Sequence, residues 1–172
     1  MPLHYRYTLC VILIVSQALW AKPACVGGTV LLHAGSTREA LTKSLTEQRA
    51  LGLTHVLFQV FEYQTHGRSV VIAPIPEKSA PLLLVEQILE EANGLGFKTL
   101  LSPIVLLERP LSHEWRGNIR PVDALVWEQN YREMLFKYAR IAQTQGVETL
   151  ILGSELASME SQLGFWRYPY CL

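Results

Sequence analysis

GFKTLL, at residues 96–101, is the stretch that decides the fold, because its layout occurs twice more, as GLTHVL at 52–57 and GVETLI at 146–151. In each copy a helical pattern ends at the glycine and an apolar run follows at once. Glycine is favoured just past a helix end because it adopts the left-handed conformation at little steric cost. Apolar runs of this kind are typical of parallel strands, which are buried on both faces. The repeat therefore predicts alternating helices and strands in a parallel sheet.

Three helices are predicted before these glycines. Ser36 and Glu39 form a capping-box pattern, which predicts a helix over about 37–51. A second helix is predicted to start near Pro81, a residue tolerated in a first helical turn. The third follows Asp123, a good N-cap residue, and ends at the glycine of the third copy.

Two further strands are predicted, one at 28–33 before the first helix and one at about 147–155 after the third. The chain therefore alternates strand and helix three times and ends with a fourth strand. Right-handed crossovers place the helices outside the sheet. Two architectures fit this order: a complete open α/β sheet, and the first four βα units of a (β/α)8 TIM barrel, which typically needs about 250 residues. Long connections after strand two (62–80) and strand three (108–123) mark the carboxyl edge of the sheet as the functional face.

The composition indicates a packed globular domain. Hydrophobic residues make up 49% of the 172 residues and charged residues 17%, which excludes disorder. The 15 basic and 15 acidic residues balance, and this balance argues against a nucleic-acid partner. No cysteine and histidine cluster has zinc-ligand spacing, so neither a metal nor a cofactor is predicted. Cys25 and Cys171 would permit a disulfide in an oxidising compartment, and two free thiols are the alternative.

The N-terminus has the parts of a secretory signal peptide. A short polar lead-in with an arginine precedes an apolar run at 9–15, and small residues follow, including Ala18 and Ala21. The run is too short to span a bilayer, which takes about 20 apolar residues. We therefore predict a signal peptide over 1–21, with cleavage after Ala18 as the alternative to cleavage after Ala21. We also predict a mature domain over 22–172, secretion or export to the periplasm, and no stable membrane anchor after cleavage.

Glu155 is the candidate for chemistry, since only Gly153 and Ser154 separate it from the buried run Leu150–Leu152. A carboxyl group at a strand end, partly removed from water, can serve as a general acid. Glycoside hydrolysis requires such an acid and a second carboxylate, about 5–5.5 Å apart for retention of configuration. The structural alternative is an exposed carboxylate at a helix start, which the helix dipole favours.

Several short motifs occur in a fixed order along the chain. They are Tyr63-Gln64, Trp115-Arg116-Gly117-Asn118-Ile119, Trp127 with Tyr131, and Gly153-Ser154-Glu155-Leu156. In these motifs the sequence resembles the β-mannanase-like glycoside hydrolases of family 113, over about residues 28–158. These enzymes belong to the clan of (β/α)8 barrels with an acid/base glutamate on strand four and a nucleophile glutamate on strand seven.

The resemblance implies a fold and a site. It implies the first four βα units of a TIM barrel and retaining hydrolysis of a β-linked, mannan-type polysaccharide or oligosaccharide, with Glu155 as the acid/base. The substrate contacts that it implies are Tyr63, Gln64, Trp115, Arg116 and Ser154.

Three departures from the family's pattern bear on activity. Ser102-Pro103-Ile104-Val105 stands where family members usually carry Lys-Pro-His-Val, and Ser154 stands where Asn or Thr is frequent. The strand-seven nucleophile has no counterpart in this sequence, so we expect a truncated and inactive copy. The alternative function is a non-catalytic carbohydrate-binding or scaffold half barrel, whose open strand edges would favour self-association.

Overall fold

The computed structural model describes residues 25–160 and Trp166. Its strands are β1 (Gly27–Leu32), β2 (His55–Gln64), β3 (Lys98–Leu107) and β4 (Thr149–Leu150). Its helices are α1 (Arg38–Ala50), α2 (Leu82–Gly94) and α3 (Ala124–Thr144), with short 3-10 turns at Arg116–Asn118 and Ala157–Met159. The predicted alternation of strands and helices is confirmed.

The four strands form one parallel sheet in the order β1-β2-β3-β4. The β2–β3 pairing runs over the full ten residues of both strands and ends with Gln64 opposite Leu107. Since all four strands point the same way, their carboxyl ends lie at one edge of the sheet. The segments after β2, β3 and β4 therefore meet at that edge, as predicted.

The two faces of the sheet differ, as strand β2 shows. Its residues alternate between partly exposed and buried, and the buried ones include Val56, Phe58 and Val60. This buried face packs against the helices, where Ile88, Leu89 and Trp127 are fully covered. The opposite face carries residues such as Phe61 and remains partly exposed within the described residues.

The glycine turns have the predicted conformation. Gly52, Gly96 and Gly146 follow α1, α2 and α3 with φ of 86°, 78° and 64°. Asp123 also caps α3 as predicted, because its carboxylate accepts hydrogen bonds from the amides of Leu125 and Val126 at 3.0 and 3.1 Å.

The predicted capping box of α1 is wrong. Thr37 is the N-cap residue, and its hydroxyl accepts a hydrogen bond from the amide of Ala40 at 3.3 Å. The hydroxyl of Ser36 is used in the preceding turn, where it accepts from the amide of His33 at 3.1 Å. A threonine one residue closer to the helix thus takes the capping role.

Strand β4 is much shorter than predicted. It covers two residues, and two further hydrogen bonds to β3 flank it, from the amide of Glu148 to the carbonyl of Thr99 at 3.0 Å and from the amide of Ile151 to the carbonyl of Leu101 at 2.8 Å. The carbonyl of Leu152 accepts a hydrogen bond from the Tyr131 hydroxyl of α3 at 2.8 Å. A side chain from α3 therefore holds the chain just before the predicted site.

Strand β2 is longer than predicted, so Glu62 lies within a strand rather than in the loop that follows. The predicted signal peptide and Cys171 lie outside the described residues, and Cys25 is exposed at their start. Within the part of the chain that the structure describes, no helix is long and apolar enough to cross a membrane.

Candidate active site

Glu155 lies at the carboxyl edge in an unusual backbone conformation. Its φ is 55°, and among the described residues it is the one non-glycine with a positive φ. The left-handed conformation costs an L-residue roughly 1–2 kcal/mol. Such cost is typically retained at functional sites, where surrounding structure holds the residue in place.

The side chain of Glu155 is held by Arg116. The guanidinium donates a hydrogen bond from Nε to a carboxylate oxygen at 2.8 Å, and its Nη2 lies 2.6 Å from the same oxygen in an ion pair. The Arg116 side chain is only 19% exposed, whereas that of Glu155 is 56% exposed. The carboxylate is therefore accessible from solvent while its position is fixed from the protein side.

The segment after β3 and the segment after β4 are joined a second time. The hydroxyl of Ser158 donates to the carbonyl of Ile119 at 2.6 Å, and Ile119 is fully buried. The Asn118 side chain stabilises the intervening turn, since its oxygen accepts from the amide of Trp115 at 2.9 Å. These bonds give Arg116 a rigid platform from which to reach Glu155.

An open groove of about 480 Å³ runs beside Glu155, and its lining includes Gly153, Ser154, Glu160 and Trp166. Gly153 permits this arrangement, because a Cβ at that position would lie 2.8 Å from Cη2 of Trp166. The Trp166 ring meets Tyr131 edge-on at 6.3 Å between centroids. The groove thus has an aromatic wall and two carboxylates, and Glu160 is the one that the sequence patterns did not single out.

Trp115 is placed as a platform at the same edge. Its side chain is 53% exposed and lies over Gly117, where an added Cβ would meet the indole at 2.1 Å. Glycine at 117 therefore allows the indole to lie flat on the backbone. An exposed aromatic face of this kind suits contact with a sugar ring.

Tyr63 lies at the end of β2 on the partly exposed face of the sheet. The Nζ of Lys78 lies 5.4 Å from the centre of its ring and also 3.7 Å from Glu108. Burial raises the pKa of the Tyr63 hydroxyl above its ordinary value, so it remains a neutral donor. Lys78 comes from the long loop after β2, and no local sequence pattern pointed to it.

Gln64 faces away from this edge and is used within the fold. It is 1% exposed, its oxygen accepts from the Trp127 indole at 2.8 Å, and its nitrogen donates to the carbonyl of His66 at 2.8 Å. Its side chain anchors the loop after β2 to α3. Contact with a sugar would require these buried hydrogen bonds to break.

Glu62 also faces α3, where it is buried and forms an ion pair with Lys137. Tyr138 hydrogen-bonds to the same carboxylate, and the pKa of Tyr138 is raised, first by burial and then by the charge of Glu62. Glu62 is therefore a packing residue on the helix side, and it does not belong to the group of carboxylates at the open edge.

Glu114 has a structural task in the loops. Its carboxylate accepts hydrogen bonds from the amides of Leu111, at 3.0 Å, and Gly67. These bonds, followed by the nearby His66 and His113, hold its pKa below the ordinary value. It joins the loop after β2 to the loop after β3.

Chemically, the edge offers the carboxylate of Glu155, which is exposed to solvent and held by a cation, with aromatic side chains nearby. Within the described residues, no group of three histidine, cysteine, aspartate or glutamate side chains is placed to hold a metal ion. The structure thus brings together Glu155, Arg116 and Ser154, with Trp115 one residue before Arg116.

Comparison with solved structures identifies the fold. Two β-1,4-mannanase structures of the glycoside hydrolase family 113, one of them a complex, match with TM-scores of 0.73 and 0.74 at 20% sequence identity. They cover 83% and 84% of this chain and 49% and 50% of their own. A β-mannanase of this family from Alicyclobacillus acidocaldarius, in complex with ManMIm, matches with a TM-score of 0.70 at 25% identity over 83% of this chain and 48% of its own.

These matches distinguish between the two predicted architectures. The four-stranded sheet corresponds to the first four βα units of a (β/α)8 barrel rather than to a complete open sheet. The chain spans about half the length of the solved structures that it matches. No curated protein gives a significant match. The sequence profile of Glycoside Hydrolase Family 113 matches residues 33–169, which is most of the chain, and this chain therefore belongs to that family.

Proposed function

We propose that this chain binds a β-linked, mannan-type polysaccharide at its carboxyl edge and supplies Glu155 as the acid/base of retaining glycoside hydrolysis. The observation that carries the proposal is the placement of Glu155: it has a left-handed backbone, an exposed carboxylate and a rigid cationic partner at the active-site edge of a barrel fold. The similarity to β-mannanases of family 113 supports the choice of substrate class.

The proposed roles follow from the contacts. Arg116 positions the Glu155 carboxylate, Trp115 offers a face for a sugar ring, and Ser154 lines the groove beside the acid. Tyr63 contributes a neutral hydroxyl on the open face of the sheet. In the reaction, Glu155 would give its proton to the leaving glycosidic oxygen and later take one from the attacking water.

Retaining hydrolysis also needs a nucleophilic carboxylate. Glu62 is buried against α3, away from the open edge, and Glu114 is hydrogen-bonded to loop amides. We propose that neither acts as the nucleophile, and that the 172-residue chain alone binds sugar with negligible turnover. We also propose that it is exported after removal of residues 1–21.

Two assays on the purified chain test this proposal. Calorimetric titration with β-1,4-mannohexaose should show binding that Trp115→Ala weakens by about tenfold, the equivalent of one lost ring-stacking contact. Arg140→Gln, on the far surface of α3, is the matched control and should bind normally. Absence of binding would refute the substrate class, and robust release of reducing sugar would refute the claim about turnover.

A further inference from the structure

A second concave surface lies at the same edge, between the loops that follow β2 and β3. It is a cleft of about 560 Å³ whose lining includes Arg68, His113 and Arg120, here called the basic cleft. Its volume falls within the range of about 300–1,000 Å³ that is usual for small-molecule sites. None of these three residues belongs to the proposed acid/base site.

The two arginines of the basic cleft have no partner within the described residues. Nearly every other lysine and arginine of the described chain pairs with a carboxylate or donates to a carbonyl, as Arg49 does to Leu53. Besides Arg68 and Arg120, Arg140 is the one described lysine or arginine that does neither, which makes three in all. Two of the three line one cleft, so the positive charge there is concentrated and unneutralised.

The backbone that carries these arginines is fixed. The amide of Arg120 donates to the carbonyl of Gly67 at 2.8 Å, and the amide of Val122 donates to the carbonyl of Arg68 at 3.0 Å. These two bonds tie the two loops together at the positions of both arginines. Arginines on an anchored backbone lose less entropy when they bind than arginines on flexible loops would.

The one carboxylate of the cleft, that of Glu114, is already engaged. It accepts hydrogen bonds from the amides of Leu111 and Gly67, and these bonds hold its pKa low. The Glu114 carboxylate is thus occupied by amides of the loop backbone. Neither arginine forms an ion pair with it, and the cleft retains a net positive charge.

We propose that the basic cleft binds the carboxylate of an acidic sugar residue in the same glycan that reaches Glu155, an inference that rests on the proposed function. A guanidinium group binds a carboxylate through two parallel hydrogen bonds, and a neutral hydroxymethyl group has no such match. Arg116 and Arg120 are four residues apart, so their backbones are at most about 14 Å apart. An oligosaccharide of a few units can span that distance.

A pair of matched hexasaccharides tests the proposal on the purified chain. The β-1,4-linked mannuronate hexamer and β-1,4-mannohexaose share the ring and the linkage, and they differ in the carboxylate at C6. We expect the acidic hexamer to bind about tenfold more tightly at low salt, since a hydrogen bond to a charged group is worth about that factor. Raising the salt concentration should reduce this ratio.

The variants Arg68→Gln and Arg120→Gln should each remove most of the preference for the acidic hexamer, and Arg140→Gln, which removes an equally unpaired arginine, should leave it intact. Equal affinity of wild-type protein for the two hexamers would overturn the proposal, and so would a preference that survives both substitutions. If a glutamine variant does not fold, Arg68→Lys and Arg120→Lys take its place, because each keeps the charge and removes the planar guanidinium group. The loss of the wild-type preference at high salt tests the proposal without any variant.

The outcome separates this proposal from the proposed function. The ratio of the two affinities reports on the basic cleft, whereas the affinity for neutral mannohexaose and its response to Trp115→Ala report on the proposed function. Tight binding of the mannuronate hexamer without any binding of mannohexaose would refute the proposed substrate class and support the basic cleft.

Discussion

Arg116 holds the carboxylate of Glu155 through a hydrogen bond of 2.8 Å from Nε and an ion pair in which Nη2 lies 2.6 Å from the same oxygen. The two residues are 39 positions apart and lie in segments that follow different strands. The guanidinium is mostly covered and the carboxylate mostly exposed, so the protein side of the pair is rigid. The pair links the loop after β3 to the chemistry proposed at the end of β4.

Loss of the Arg116 guanidinium should affect binding more than stability. We expect Arg116→Gln to weaken mannohexaose binding about tenfold. The free energy of unfolding should fall by less than about 1 kcal/mol, because one partner of the ion pair is exposed to solvent. Calorimetric titration and urea unfolding measure the two effects. Unchanged affinity together with a large loss of stability would show that Arg116 acts only in folding.

Glycine at position 155 should stabilise the protein. Glu155→Gly removes a left-handed conformation worth roughly 1–2 kcal/mol and loses an exposed ion pair worth at most about 1 kcal/mol. We therefore expect a rise of up to about 1 kcal/mol in the free energy of unfolding. Ser154→Gly, whose position has no positive φ, is the control and should destabilise by about 0.5–1 kcal/mol. A destabilised Glu155→Gly variant would contradict the backbone argument.

Loss of Lys137 alone should destabilise the protein more than loss of both Lys137 and the charge of Glu62, its buried ion-pair partner. Lys137→Met leaves the buried Glu62 carboxylate with Tyr138 but no cation, at a cost of about 3 kcal/mol. Adding Glu62→Gln removes that charge and should recover most of the loss. Urea unfolding of the single and double variants measures the coupling, and strictly additive losses would count against a buried charge pair.

Gly153 should not tolerate a side chain. Gly153→Ala places a Cβ within 2.8 Å of the Trp166 ring, and overpacking of this kind costs about 1–3 kcal/mol. The tryptophan fluorescence should change as the ring moves. Gly94→Ala, in a helix where nothing lies within 4 Å of the new Cβ, should stabilise by about 0.5–1 kcal/mol. Similar effects at the two positions would contradict the close approach.

Glu114 should contribute a stability that depends on acid pH. Its pKa is lower in the folded state, so its contribution is complete above the ordinary glutamate pKa and is lost as the pH falls through the folded value. Glu114→Gln should therefore lower the melting temperature at pH 6, and the difference from wild type should shrink as the pH falls below the ordinary glutamate pKa. A difference in melting temperature that does not vary with pH would contradict this assignment.

The order of elements could be predicted because it depends on local signals. The glycines at 52, 96 and 146 and the N-cap at Asp123 act within a few residues of their own position, and the structure confirms them. The length of β4 could not be predicted from its own apolar run, because it depends on pairing with β3, which is distant in sequence.

The site was predictable in part for the same reason. Strand polarity places Glu155 and Trp115 at one edge, and this needs only the parallel order of the strands. The directions of Glu62 and Gln64 depend on where β2 ends, and an extension of the strand by a few residues moved them from a loop to the helix side of the sheet. Lys78 reaches Tyr63 from a loop whose path no local pattern determines.

The measurement that tests the central claim most directly is a backbone amide chemical-shift titration of the 172-residue chain with β-1,4-mannohexaose. We predict saturable shifts concentrated at Trp115, Arg116 and residues 153–155, and their loss in Trp115→Ala. Absence of saturable shifts, or shifts confined to other surfaces such as the outer side of α3, would contradict a carbohydrate site built around Glu155.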